Sequence, residues 1–206
     1  LKEALQNADY DYICRLALEQ INGGSHVLDV NVGMPGIDEA AVLAKVVPAL
    51  QGITDTPLQI DTSNYEAMEQ ALRLYNGKPM LNSVNGKEES LERVLPLVKK
   101  YGAVVVALCL DDSGIPLDVA GRVAIAEKII AKAAEYGIAS HNIVVDPLAL
   151  TISTGGDNAK VACEVISAMQ ARGIKTVMGV SNISFGLPGR ELINSTFFTL
   201  ALQAGL

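Results

Sequence analysis

Six short apolar, β-branched runs recur along this chain, and each gives way to polar or small residues. They are HVLDVN ending at Asn31, PLQID at Asp61, PMLNS at Ser83, AVVVALCL at Leu110, NIVVD at Asp146 and KTVMGVSN at Asn182. Consecutive apolar positions over so short a span suit strands buried on both faces. Between them, residues 1–21, 38–50, 65–74, 88–101, 117–136, 158–172 and 191–204 carry apolar residues at helical spacing. Asn64 and Asp157 stand where helix N-caps are needed, and Gly77, Gly102, Gly137 and Gly173 follow helix ends. Strict alternation of strand and helix means a parallel sheet with right-handed crossovers. A repeat of roughly 20–40 residues suits a (β/α)8 TIM-type barrel and, equally, a doubly wound sheet.

Neither common phosphate-binding signature is present. No strand is followed by G-x-G-x-x-G, with Gly33 and Gly36 a partial match, and no G-x-x-x-x-G-K-[ST] occurs. No Pro/Gly/Ser-rich linker divides the chain, so residues 1–206 read as one domain. Sixteen Lys and Arg against 23 Asp and Glu give a formal charge of −7, which argues against nucleic acid or an anionic membrane as the main partner. No apolar run approaches the roughly 18 residues of a membrane span, and the first residues lack the apolar stretch of a signal peptide. Cys14, Cys109 and Cys163 are far apart, and only His26 and His141 could join them as soft ligands. The expectation is therefore no disulfide framework, no metal site and a cytoplasmic setting.

Ligands of parallel α/β folds sit at the carboxyl ends of strands. This chain puts Asp29 and Asn31, Asp61, Asn82, Asp111 and Asp112, Asp146, and Ser181 and Asn182 at those positions. Asp29 and Asn31 are two apart and share one side of their strand. Asp111 and Asp112, before Ser113-Gly114, fit a turn better than a catalytic pair. Gly155-Gly156 fits a loop, and His26 and His141 precede strands at the opposite end. Carboxylates and carboxamides without a cation in the strand-end motifs repel phosphate but suit a neutral heterocycle with N–H and NH₂ donors along one edge. A 2-amino-4-oxopyrimidine, the edge of pterins and guanine, matches, at roughly 1.5–3 kcal/mol per charge-assisted bond.

LDVNVGMPGIDE (28–39), QIDTSN (59–64), MLNSVNG (80–86), VVDP (144–147) and GVSNISFGLPGR (179–190), in this order, resemble the pterin-binding methyltransferase family. That family includes the methyltetrahydrofolate domain of cobalamin-dependent methionine synthase and the methyltetrahydrofolate:corrinoid protein methyltransferases. The resemblance implies a (β/α)8 barrel whose first and last strands are missing from these six. It implies 5-methyltetrahydrofolate as methyl donor and cobalamin, on a corrinoid-binding domain or protein, as acceptor, and it admits a homodimer. Asp61, Asn82 and Asp146 resemble the residues that hold the amino-pyrimidinone edge, with Asp29 a further acidic residue of the site. Asn182 resembles the asparagine that contacts the methyl-bearing nitrogen, and Asn31, Gly179 and Ser181 complete the expected set. Two alternatives remain. Dihydropteroate synthase shares the barrel but carries a Ser-Arg-Lys-like motif where this chain reads Gly179-Val180-Ser181-Asn182. The other is a fragment without catalysis.

Overall fold

A computed structural model describes all 206 residues. Its strands are β1 (Leu28–Asn31), β2 (Leu58–Asp61), β3 (Met80–Asn85), β4 (Val104–Leu108), β5 (Ile143–Asp146) and β6 (Lys175–Thr176). They form one six-stranded sheet in chain order, the topology that successive right-handed crossovers produce. The helices are α1 (Lys2–Gln6), α2 (Tyr10–Asn22), α3 (Glu39–Gln51), α4 (Tyr65–Leu74), α5 (Glu88–Tyr101), α6 (Val119–Glu135), α7 (Asn158–Ala171) and α8 (Arg190–Ala204). α3 and α5 run through Pro48 and Pro96. The contacts divide the chain into two compact units where the sequence reads as one domain: residues 1–83 with 96–105, and residues 84–95 with 106–206.

In the first unit β1 pairs in parallel with β2, and β2 with β3, so that Asn31 stands opposite Asp61 and Asp61 opposite Asn82. Leu28 and Val30 point into the core while Asp29 and Asn31 stay exposed, the alternation that period 2 requires. Leu43, Val46 and Val47 of α3 and Ala67, Met68 and Ala71 of α4 bury the other side of that core. Side chains start both helices: Asp38 accepts the Ala41 N–H at 3.1 Å, and Asn64 accepts those of Glu66 and Ala67. One expected element is two. The helix read over residues 1–21 breaks at Ala8, whose φ is +53°, and Asp9 recaps the chain by accepting the Tyr12 N–H.

In the second unit β5 pairs in parallel with β6, Val144 opposite Lys175. Ile125, Ala126 and Ile129 of α6 and Val165, Ile166 and Met169 of α7 are buried with Ile143 and Val145. α8 buries Phe197 and Ala201 and joins a cluster with Ala149, Ala162 and Ile183. Two expectations are corrected here. The strand read to Asn182 ends at Thr176, and Val180–Ser184 form a 3-10 helix. Gly179, Ser181 and Asn182 are turn-forming residues, and they win over the β-branched neighbours before them. Asp157 occupies the N-cap of α7 but makes no capping bond. Asn158 serves that turn instead, donating to the Thr151 carbonyl at 2.7 Å.

Candidate functional site

Four expected residues come together in the first unit. The Asn31 Nδ2 donates to Asp61 Oδ2 at 2.9 Å, and its Oδ1 accepts the Gly33 N–H at 2.9 Å. The Asn31 amide is thus spent on orienting Asp61. Asp29 accepts a short hydrogen bond from the Gln59 Nε2. Partial desolvation by the surrounding strand ends pushes the carboxyl of this exposed Asp29 above the usual carboxylate range and the charge of Asp61 adds to this, while hydrogen bonds from Gln59 and Asn82 pull the other way. Asn82 is in register with Asp61, and its carbonyl accepts the Thr62 N–H at 3.1 Å. Thr62 in turn donates to Glu39 Oε2 at 2.5 Å, tying the start of α3 to the end of β2.

Asp146, at the end of β5, belongs to the second unit. Its Oδ1 accepts the Leu148 N–H at 2.8 Å, and its backbone carbonyl accepts the Cys109 N–H at 3.2 Å. Burial pushes its carboxyl up to about 6, against the lowering effect of the Leu148 bond and of the Arg122 charge. The same burial, with Asp146 beside it, holds the Cys109 thiol neutral, up to about 12.

Gly179, Ser181 and Asn182 lie on and before the 3-10 helix, all exposed. A Cβ at Gly179 would stand 2.9 Å from the Asn182 Nδ2, so the missing side chain leaves room for that amide. Arg190 holds the turn from outside, its Nη2 donating to the Ser181 carbonyl at 2.9 Å and its Nε to the Ser184 Oγ at 3.0 Å. Asp111 and Asp112 sit in a turn closed by reciprocal bonds between Asp111 and Gly114. No group of three or more His, Cys, Asp or Glu side chains is placed to hold a metal ion. No helix is long and apolar enough to cross a membrane.

No strand-end motif singles out Gln59, Glu39, Thr62 or Arg122, and Arg190, at the start of α8, grips the turn before it. Arg122 alone carried a signal: it stands at helical spacing with the apolar Ile125, Ala126 and Ile129, where a charge has no place unless it is used.

A model of the pterin binding enzymes matches residues 2–206. This chain belongs to the pterin binding enzyme family. Over its full length it is 31% identical to a methionine synthase of Mycobacterium leprae and 29% identical to a methylcorrinoid:tetrahydrofolate methyltransferase of Eubacterium limosum. It spans 18% of the former and 78% of the latter. Among solved structures, dihydropteroate synthase from Thermus thermophilus in complex with 6HMPPP superposes with a TM-score of 0.75 at 23% identity, covering 95% of this chain and 80% of that one. Dihydropteroate synthase from Xanthomonas albilineans in complex with 7,8-dihydropteroate gives 0.73 at 19%, covering 95% and 76%. These likenesses show the fold of this pterin binding enzyme: a (β/α)8 TIM-type barrel, of which six parallel strands are present.

Proposed function

We propose that this pterin binding enzyme is a methyltransferase that binds 5-methyltetrahydrofolate and passes its methyl group to Co(I) cobalamin held on a corrinoid-binding domain or protein. The observation that carries the reading is its full-length similarity to a methylcorrinoid:tetrahydrofolate methyltransferase of which it spans most. The residues fit the substrate. By their motifs, Asp61, Asn82 and Asp146 are assigned to the amino-pyrimidinone edge, whose N–H donors need acceptors that are ionised or polar. Asp29 supports that set, and Asn31 orients Asp61.

A tertiary amine leaves poorly until its nitrogen is protonated or strongly hydrogen-bonded. Asn182 carries no proton to give, but its carbonyl oxygen can accept a hydrogen bond from the protonated amine and so favours the cationic state. The Asn182 side chain is exposed, which leaves its carbonyl open to that contact. Gly179 keeps the space it needs. The methyl group moves without its bonding pair, which stays on the nitrogen, and the acceptor supplies the new pair.

The test is a titration of the full-length protein with 5-methyltetrahydrofolate, followed by single-turnover methyl transfer to Co(I) cobalamin. Saturable binding with transfer supports the reading. Binding without transfer, together with condensation of p-aminobenzoate onto a pterin diphosphate, would replace it with the synthase.

A further inference from the structure

Arg122 is fully buried, and its Nε and Nη1 donate to backbone oxygens. Its Nε donates to the Pro116 carbonyl at 2.8 Å, and its Nη1 donates to the carbonyls of both Pro147 and Leu148, each at 2.8 Å. Nη2 is buried with no partner. A buried cation with an unused donor costs stability, and an apolar side chain of similar volume would pack there at lower cost. The backbone it grips is unusual as well. Leu148 has a φ of +62°, in the left-handed region that a leucine seldom adopts. In that conformation the Leu148 N–H reaches back to Asp146 Oδ1 at 2.8 Å.

We infer that Arg122 is a positioning residue for Asp146: its guanidinium clamps the Pro147 and Leu148 carbonyls and so fixes the turn whose N–H orients the pterin-binding carboxylate. The inference rests on the assignment of Asp146 proposed above. It goes beyond that assignment by giving a residue outside every strand-end motif a task in the same site. Charge adds to geometry. Arg122 opposes the effect of burial on the Asp146 carboxyl, while the Cys109 thiol, also against this pair, stays neutral and Asp118 contributes a second anion beside the guanidinium. Removing the cation therefore lets burial raise the Asp146 carboxyl further. Ionised Asp146 then appears only at higher pH, and so does tight binding.

The experiment compares the full-length protein with R122M, R122K, L148G/R122M and D146N, using 5-methyltetrahydrofolate titrations from pH 5 to 8 and thermal unfolding on each. R122M is expected to bind about tenfold more weakly at pH 7 and to shift the pH midpoint of binding upward by about one unit. R122K keeps the charge but not the planar fork, so its midpoint stays near wild type while affinity still falls. If R122M fails to fold, L148G/R122M takes its place, because glycine adopts the left-handed turn without a clamp. Its midpoint should lie above wild type. A folded Met variant, single or double, with the wild-type midpoint and affinity overturns the inference. D146N separates the two layers: it should abolish the pH dependence. Wild-type binding by D146N with an unchanged profile would remove the assignment of Asp146 itself.

Discussion

The two compact units present their polar groups by different means. In the first, β1, β2 and β3 deliver Asp29, Asn31, Asp61 and Asn82 through strand register alone, and the side chains then bond to one another. In the second, regular structure stops at or before the groups of interest: Asp146 is the last residue of β5, and Asn182 lies beyond β6. Asp146 is set by a left-handed leucine under a buried guanidinium, and Asn182 rides on a 3-10 helix braced by Arg190. Register is a repeating rule, so one residue's place fixes its neighbours'. A turn is not, and each group there needs its own support. The first unit should therefore behave as a cooperative binding surface, and the second as a few individually decisive groups.

The largest effect that contrast predicts falls on Asn182. If its carbonyl stabilises the protonated amine, the bond is stronger in the transition state than with neutral substrate. Asn182→Ala should lower the rate of methyl transfer by about 2–4 kcal/mol while weakening binding much less. Single-turnover kinetics against a binding titration on the same protein separates the two. Near-wild-type transfer by a folded Ala variant would take Asn182 out of the chemistry and leave it a turn residue. Gly179→Ala should mimic part of the loss, because the new Cβ displaces the Asn182 amide.

Next comes Asp146, whose removal should weaken 5-methyltetrahydrofolate by one to two decades, at about 1.4 kcal/mol per decade. Its carboxyl, at about 6, also gives a pH signature. Binding to the ionised form should weaken about tenfold per unit as pH falls below that value. Stability moves the other way. The folded protein holds this proton more tightly than the unfolded chain, so burial of neutral Asp146 favours folding at low pH. That contribution is lost as pH rises from about 4 through about 6. Thermal melts of wild type and Asp146→Asn across that window should differ in slope, and matching slopes would show that the site is wetter than its burial implies.

The same contrast explains how much was legible beforehand. Asp29, Asn31, Asp61 and Asn82 were readable because a parallel strand that ends in a polar residue announces both its end and its register. The exposed places of Asp29 and Asn31 between buried Leu28 and Val30 follow from period 2. Asp146 was readable as a strand end, but not its shifted titration, which depends on α6 and the end of β4, distant in sequence. Asn182 was assigned to a strand because Val177 and Val180 favour one, whereas Gly179 and Ser181 decide the local backbone. Arg190 gave no signal, because what it grips is a carbonyl, and every residue has one.

The smallest predicted effect sharpens the comparison most directly. Asn31 stands among the proposed site residues, yet both ends of its amide are already committed, to Asp61 Oδ2 and to the Gly33 N–H. It therefore supports Asp61 and need not touch the pterin. Removing it frees Asp61 to rotate and leaves one half-buried carboxylate without a neutral donor, a loss of about 0.5–1.5 kcal/mol for a single hydrogen bond. Asn31→Ala should then weaken 5-methyltetrahydrofolate by about three- to tenfold, less than Asp61→Ala. In the double variant the two losses should not add, because Asn31 acts only through Asp61. Calorimetric titration of the wild type, both single variants and the double variant closes that cycle. Full additivity would mean that Asn31 meets the ligand on its own, and the first unit would then be built, like the second, from separately decisive groups.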